Sequence, residues 1–471
     1  MTQTSMKKPQ WRKNIPNITY EICQAIAECG GKAWLVGGSV RDLCLQQSSK
    51  DIDLEVYGLD ADKLLHITQS LGHTEQVGKH FGVIKLWRNG HEIDLALPRT
   101  EVKTAQGHRG FTVTNNPQLS PKIASSRRDF TINAMMFDPL NGELLDFHHG
   151  QEDLQQGVLR HVSPAFSEDP LRVLRAMQFA ARFKLTLAPK TAVLCSGLIP
   201  ELKTLPSSRI WCEWQKWSHA PYPSFGLQAL KDSGCLPVLY PELDALTTCP
   251  QDARWHPEGD VWAHTLQVCN QAALISKRAG LDDQTCEHLI LAALCHDFGK
   301  PITTFTDKDG HIRSPNHSEA GFKPIQSFLS NIAAPKRIAS YVHPLVHDHI
   351  THLCGEPTSR AIRRLAHRLE PASIELWEML VEADASGRRP SPACRPALAW
   401  LEKAQALSNH TEKTPAIVNG HILMDMGMTS GKEMGACIKA AYEAQLDGEF
   451  CDLPSAKQWL AKKRFKKLSQ H

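Results

Sequence analysis

The sequence has little excess charge of either sign. Its 53 Lys and Arg against 50 Asp and Glu leave a formal net charge of +3, so composition announces no nucleic-acid partner and local basic patches must serve instead. Two exist, Lys7, Lys8, Arg12 and Lys13 near the start and Lys462, Lys463, Arg464, Lys466 and Lys467 near the end. Each reads more readily as a solvated, frayed terminus than as a specific contact. The 14 cysteines form no CxxC pair, which argues against a zinc ribbon or a disulfide framework and predicts reduced thiols in a cytoplasmic protein. No apolar run is long enough to span a membrane, and the first residues lack an apolar signal region, so no membrane partner is expected. Neither an internal repeat nor a low-complexity segment stands out.

At 471 residues the chain has room for two to four domains. With 22% charged and 42% hydrophobic residues it reads as globular. It is organised around Trp34 to Glu55, WLVGGSVRDLCLQQSSKDIDLE. The run Ala33-Trp34-Leu35-Val36 reads as a short buried strand. Gly37 and Gly38 follow, where glycine lets the backbone approach a ligand and N–H groups hold a phosphate. Arg41 adds a cation suited to phosphate oxygens. Next, Asp51-Ile52-Asp53-Leu54 alternates as a strand does, which puts both carboxylates on one face. Two carboxylates beside a phosphate cradle suit a pair of Mg²⁺ ions, and such a pair activates a hydroxyl and stabilises a leaving pyrophosphate. Either motif alone is common on protein surfaces; their order and close spacing together carry the reading. A further strand around His91 to Leu95 offers Asp94. Spacing leaves it equally open as a third carboxylate or a strand-end surface acid.

Three later stretches add polar groups. In Ser126 to Met135, SRRDFTINAM, Arg128 and Asp129 read as a helix start that brings a cation and a hydrogen-bonding acid near the cradle, with Asn133 in reach of a ribose. The plain alternative is an N-capped amphipathic helix. Glu168 to Phe183, EDPLRVLRAMQFAARF, reads as a helix with Pro170 in its first turn. Asp169, Arg172, Arg175 and Arg182 form its polar line, and Leu171, Leu174, Met177 and Phe179 its core stripe. By spacing alone these are ordinary i,i+3 ion pairs. Ser207-Ser208-Arg209-Ile210 opens another helix, whose Trp211, Trp214 and Trp217 read as core or as a stacking surface for RNA. The polar, Gly- and Thr-containing stretch from Leu97 to Phe111 reads as a mobile loop.

GGxVRD followed by DxD resembles the nucleotidyltransferase superfamily that includes polymerase beta. With RRDFTINAM and EDxxR added, the chain resembles the class II tRNA nucleotidyltransferases, the CCA-adding enzymes, and the related bacterial poly(A) polymerases. The resemblance implies that Asp51 and Asp53, with Asp94, bind two Mg²⁺. It implies that Gly37, Gly38, Arg41, Arg128, Asp129, Asn133 and Arg175 hold the nucleotide. Glu168 opens the element in which Asp169 and Arg172 read the Watson–Crick edge of CTP or ATP. A carboxylate accepts from the amine that C and A share, and a guanidinium donates to their ring nitrogen or carbonyl. The 97–111 stretch resembles the flexible loop used in switching from C to A addition. Gln178 stands where many relatives carry another arginine, which implies a weaker or a redistributed grip on the triphosphate.

A second constellation begins after Trp255-His256-Pro257. His264, the pair His296-Asp297 and Asp384 fall on separate helices, and imidazole with carboxylate suits a transition metal such as Ni²⁺ or Mn²⁺. His317, His343 and His347 offer a second metal site, and Lys300 a phosphate contact. CHDFGK with the later NHSEAG resembles the HD phosphohydrolase superfamily, found attached to one group of bacterial CCA-adding enzymes. There it implies 2′,3′-cyclic phosphodiesterase, 2′-nucleotidase and phosphatase activities. A glycine-containing helical stretch near the C-terminus resembles the tail of such relatives.

The expected architecture is an α/β nucleotidyltransferase head (1–160), an all-α neck and body (161–250), an all-α HD domain (251–410) and a small helical tail (411–471). The expected partners are the tRNA acceptor end, CTP and ATP. The rivals are a poly(A) or A-adding enzyme of the same class and an HD hydrolase whose head merely binds nucleotide.

Overall fold

The computed structural model describes residues 13–49, 51–77, 83–103, 111–390, 392–410 and 412–468. The chain divides into two units, Met1–Trp217 with Phe225–Leu239, and Ser218–Ser224 with Tyr240–His471.

The first unit is built on a mixed sheet. In chain order its parts begin with helix α1 (Asn17–Glu28), strand β1 (Lys32–Val36), helix α2 (Gly38–Cys44), strand β2 (Ile52–Tyr57), helix α3 (Ala61–Leu71), and strands β3 (His73–Val77), β4 (Val83–Arg88) and β5 (His91–Ala96). Strands β6 (Arg99–Lys103) and β7 (Phe111–Asn115) come next, then helix α4 (Pro121–Ser126) and the short strands β8 (Met136–Phe137) and β9 (Leu144–Leu145). The seven-stranded order is β3-β4-β5-β2-β1-β8-β9. Alternation in β2 decides its two faces. Ile52, Leu54 and Val56 enter a core with Ile22 and Ile26 of α1, Leu64 of α3 and Ile93 and Leu95 of β5. Asp53 and Glu55 are left on the other face. β2 and β5 run parallel, with Asp53 opposite Asp94.

Three local expectations are corrected. The 97–111 stretch is not wholly loop, because β6 and β7 pair antiparallel from Arg99↔Asn115 to Lys103↔Phe111; residues 104–110 lie outside the described residues. Arg127 and Arg128 follow α4 rather than start a helix, and a single 3₁₀ turn, Thr131–Asn133, comes after them. The helix expected from Glu168 begins instead at Arg172, as α5 (Arg172–Phe183), after a 3₁₀ turn over Pro164–Glu168. Pro170 is the reason, since the residue before a proline is pushed out of the helical region. Asp169 accordingly has φ −118° and ψ 108°.

Helix α6 (Ser207–Ser218) carries the tryptophans. Trp214 and Trp217 are fully buried and meet edge-to-face at 5.2 Å, so these two are core and offer no RNA-stacking surface.

The second unit is helical: α7 (Val261–Ala279), α8 (Asp283–Cys295), α9 (Lys336–Asp348), α10 (Ser359–Leu369) and α11 (Ile374–Gly387) form its frame. α8 is apolar all round from Leu289 to Cys295 and buried throughout that stretch, as a central helix must be. α7, α9 and α11 pack against it. The tail contributes α12 (Lys432–Asp447). Arg360 and Arg364, one turn apart on α10, both bind Asp447, and Arg363 Nε donates to the Leu446 carbonyl at 2.9 Å. Among the described residues no helix is long and apolar enough to cross a membrane.

Trp214→Ala is expected to cost the first unit about 3–5 kcal/mol, the usual loss for a buried tryptophan. Denaturant unfolding measures it. A variant of undiminished stability with weaker RNA binding would contradict the core assignment.

Candidate functional site

In the first unit the candidate site forms where β1 ends. Gly37 has φ +69°, a conformation that glycine adopts freely. A Cβ there would lie 3.1 Å from Arg128 Nη1 and 3.6 Å from Asp53 Oδ2, so the turn passes between a cation and a carboxylate. Gly38 starts α2. Ser39 Oγ donates to the Asp51 carbonyl at 2.8 Å, tying this turn to the entry of β2.

Asp53 and Asp94 face each other across the parallel pair. Burial pushes the Asp53 carboxyl up to about 6; Arg128 opposes the rise, and Asp94 and Asp51 add to it. Asp94 also meets Lys85 Nζ at 3.2 Å. An all-oxygen set with shared negative charge fits a hard divalent cation. Glu55, two residues beyond Asp53 on the same face, is 2% exposed. Its Oε2 lies 3.3 Å from Arg128 Nη2 and 3.8 Å from Arg127 Nη2. The alternation Asp51, Asp53, Glu55 was a usable signal for this anchor, and the DxD reading stops one step short of it.

The remaining sequence-selected residues form an internal network. Asp129 is buried and accepts from Arg175 Nε at 2.8 Å, Asn133 Nδ2 at 3.1 Å and the Phe130 amide at 2.8 Å. Burial raises its pKa, but Arg175 and these hydrogen bonds outweigh burial and hold it below the ordinary carboxylate value. Asn133 Oδ1 accepts from Arg41 Nη1 at 2.7 Å. Arg41 also binds Asp42 and lies 4.1 Å over the Phe183 ring. Arg41 and Asn133 are thus 4% and 5% exposed and face each other. Gln178 is buried too, with its Oε1 accepting from Arg182.

Asp169 and Arg172 are held separately. Asp169 Oδ1 accepts from the Leu171 amide at 3.0 Å, and Oδ2 pairs with Arg209 at 3.2 Å. Arg172 donates to the carbonyls of Ala165 and Arg127, each at 2.7 Å. Glu168 closes the preceding 3₁₀ turn.

The second unit gathers the other set. His264 Nε2 is 3.0 Å from Asp384 Oδ1, and His296 Nε2 is 3.1 Å from Asp297 Oδ2 and 4.0 Å from Asp384 Oδ1. His317 Nε2 lies 3.6 Å from Asp297 Oδ1 and 3.3 Å from His349 Nε2. The Nδ1 atoms of His296, His317 and His349 bond the carbonyls of Ala293, Ser314 and Val346. A carbonyl only accepts, so each Nδ1 donates and each neutral ring turns an Nε2 lone pair inward. His296 Nε2 is buried with no hydrogen-bond partner. Converging lone pairs and an orphaned ring nitrogen beside Asp297 are what a bound metal would satisfy. Glu258 Oε1 accepts from Nδ1 of His264 at 2.9 Å and so fixes that ring as well. Among the described residues, the groups of potential ligand atoms within 4.8 Å of one another all lie in this unit.

Of the three histidines expected at a second metal position, only His317 joins. His343 stacks on Phe322 at 4.3 Å, and His347 is half exposed beside Asp348. His349 takes the place instead. It follows the end of α9, where the helical i,i+4 spacing of His343 and His347 no longer predicts direction. Lys300 Nζ lies 2.7 Å from Asp297 Oδ2.

Comparison with known proteins follows this division. Residues 33–160 match the Poly A polymerase head domain, residues 184–247 the probable RNA and SrmB-binding site of polymerase A, and residues 261–377 the HD domain. A multifunctional CCA protein of Pasteurella multocida is 38% identical over 368 residues, covering 76% of this chain and 84% of the relative. The chain belongs to the multifunctional CCA protein family. Solved structures share the fold. A Bacillus stearothermophilus CCA-adding enzyme in complex with CTP aligns with a TM-score of 0.64 at 18% identity, covering 99% of this chain and 100% of that one. A Thermotoga maritima CCA-adding enzyme complexed with tRNA aligns at 0.60 and 19% identity, covering 98% and 99%. In this family both the nucleotidyltransferase head and the HD domain are metal-dependent.

Two outcomes are expected. Asp53 has a folded pKa above its unfolded value of about 3.9. Its contribution to the stability of the metal-free protein is therefore full below about pH 4 and lost as pH rises through about 6. A ¹³C carboxyl titration of metal-free protein should show a midpoint near 6 that falls in Asp94→Asn; a wild-type midpoint near 4 would refute the assignment. In the second unit, a Cβ on Gly299 would lie 1.9 Å from the His317 carbonyl and 2.7 Å from the Gly321 amide. Gly299→Ala should thus cost about 1–3 kcal/mol or more and weaken metal binding here, seen by unfolding and calorimetric metal titration, while the head keeps its affinity for nucleotide.

Proposed function

We propose that this chain adds and repairs the 3′-terminal CCA of tRNA from CTP and ATP without a nucleic-acid template, and that its HD domain is a metal-dependent phosphohydrolase acting on 2′,3′-cyclic and 2′-phosphate esters. The observation that carries the first part is the β2–β5 register, which sets Asp53 opposite Asp94 beside the Gly37 turn and Arg128. Residues 1–160 serve as head, 161–250 as neck and body, 251–410 as HD domain and 411–471 as tail.

Asp51, Asp53 and Asp94 would hold two Mg²⁺ ions. Bound there, such ions activate a terminal hydroxyl and neutralise a leaving pyrophosphate. The chain's own part is positioning. Gly37 and Gly38 give the triphosphate close access to backbone N–H groups. Arg128, steadied by Glu55, offers its outer guanidinium nitrogen on the Gly37 side. Arg41, Asn133, Asp129 and Arg175 act one layer behind, holding α2, the RRD segment and α5 in one arrangement. Asp169 and Arg172 select the base: two of the five guanidinium donors of Arg172 go to carbonyls, leaving others for a nucleobase edge. Recognition of tRNA would go by shape and backbone.

In the HD domain His264, His296, Asp297 and Asp384 would hold a transition metal such as Ni²⁺ or Mn²⁺, with His317 and His349 completing a second position. A metal held by these residues would supply Lewis-acid polarisation of a phosphate ester and lower the pKa of a nearby water. Glu258 and the three backbone carbonyls orient the imidazoles, and Lys300 meets a phosphate oxygen.

The two activities should separate. Sequencing the products formed on tRNA ending before CCA should read C-C-A for wild type. Asp53→Ala should abolish this addition and spare hydrolysis of 2′,3′-cyclic AMP. His296→Ala with Asp297→Ala should do the reverse. Products extended by A alone would replace the CCA reading with that of an A-adding enzyme, and near-normal addition by folded Asp53→Ala would remove the metal assignment.

A further inference from the structure

The cleft over the second unit's histidine–aspartate floor is asymmetric. It encloses about 260 Å³, near the small end of the usual range of roughly 300–1,000 Å³ for ligand pockets. On its floor Asp297, His317, His349 and Asp384 face the interior, with Lys300 and Arg388 among the lining. The rest of its lining sets apolar Trp255, Ile312, Ile350 and Leu353 beside polar Gln251, Asp252, His256 and Ser314. Two of the apolar residues are costly to leave in water. Trp255 is 68% exposed and Leu353 is 72% exposed. Exposed apolar side chains beside a charged floor mark a ligand with one polar and one flat apolar end.

The turn that carries Trp255 is anchored to the floor. The backbone amides of Trp255 and His256 both donate to the Asp252 carbonyl, at 3.0 and 2.9 Å, closing a turn. His256 Nδ1 then donates to Glu258 Oε1 at 2.9 Å, and the same oxygen accepts from His264 Nδ1. The backbone turn that carries Trp255 is therefore tied, through the neighbouring His256, to the ligand set by one carboxylate.

We propose that Trp255, which lines the same cleft as Leu353, is the base-binding surface of the HD cleft, so that the site takes phosphate esters of nucleosides and discriminates against esters that carry no base. The phosphate would lie on the Lys300 and Arg388 side, and the base would stack on the indole. Stacking accepts any base because every base has a π face, so selectivity is for a base and not for its identity. The small volume fits one nucleotide, free or at the end of an RNA chain. This inference rests on the phosphohydrolase reading above.

The test compares Trp255→Ala and Trp255→Phe with wild type in the full-length protein loaded with Ni²⁺ or Mn²⁺. The substrates are 2′,3′-cyclic AMP, a short RNA ending in a 2′,3′-cyclic phosphate, and glycerol 1,2-cyclic phosphate, which has no base. Trp255→Ala should raise KM for 2′,3′-cyclic AMP by roughly 5- to 150-fold, the range that stacking supports, and leave both its kcat and the KM for the base-less ester unchanged. Trp255→Phe, which still stacks, should stay within a few-fold of wild type. An equal rise with the RNA substrate identifies the terminal nucleotide of a chain as a source; a rise with the mononucleotide alone identifies free nucleotide. Equal effects on the base-bearing and base-less esters, or none on either, would overturn the proposal. A second readout needs no turnover. Titration with 2′-AMP should quench tryptophan emission in wild type, and that component should vanish in Trp255→Phe. If wild type hydrolyses none of the esters, the phosphohydrolase reading fails, and the quench difference alone decides the base surface: present, it stands; absent, it falls.

Discussion

One buried carboxylate holds the candidate nucleotide site of the first unit together. Asp129 joins Arg175 of α5 to Asn133 of the 3₁₀ turn, and Asn133 passes the link to Arg41 of α2. Three segments far apart in sequence are thus locked by charge-assisted bonds around a buried carboxylate. Such a network is sensitive to the loss of any member. Removing one partner of a buried pair strands the other charge, and the cost is typically about 3–5 kcal/mol. The arrangement also explains why a helix as short as α2 keeps its position at the end of β1. Its guanidinium is fixed on one side by Asp42 and Asn133 and on the other by the faces of Phe179 and Phe183.

The second unit solves a related problem with different chemistry. Here the fixed elements are imidazoles, and the fixing groups are main-chain carbonyls. Each carbonyl removes one tautomer and one ring orientation, so the inward nitrogens are set before any ion arrives. An all-oxygen set on one face of a sheet and an imidazole-rich set among helices favour different ions. The donor sets of the two units are distinct on that ground alone.

Much of this was legible in the chain. Alternation in Asp51-Ile52-Asp53-Leu54 places Ile52 and Leu54 in the core and Asp53 on the other face, and the structure has them so. The hidden parts share one cause: spacing identifies which side chains are polar but not whether they point at a ligand or at one another. Arg41 has the chemistry of a phosphate grip, yet it is buried against Asn133 and two phenyl rings. His343 and His347 have the better helical spacing, yet His349 turns inward because its Nδ1 is captured by the Val346 carbonyl at 2.6 Å. Trp214 and Trp217 look like a stripe for stacking until their complete burial is seen. The β6–β7 ribbon was masked by residues that favour turns, because pairing between strands is a non-local fact that composition does not carry.

The break in helix at Asp169 separates two charged side chains. Had a regular helix run from Glu168, Asp169 and Arg172 would have been neighbours on one face, three residues apart, and would have tended to neutralise each other. Pro170 prevents this. Asp169 leaves the helical path and takes Arg209 of α6 as its ionic partner, while Arg172 donates to two carbonyls and lies 5.9 Å over the Phe166 ring. The two groups are thus held independently, each by two bonds, with their remaining donors and acceptors not spent on each other. The base-reading role proposed for the pair requires that kind of rigidity, because a side chain free to rotate presents whichever pattern the wrong base prefers. Sequence spacing alone made this pair look like an ordinary ion pair; a single proline gives its members separate partners.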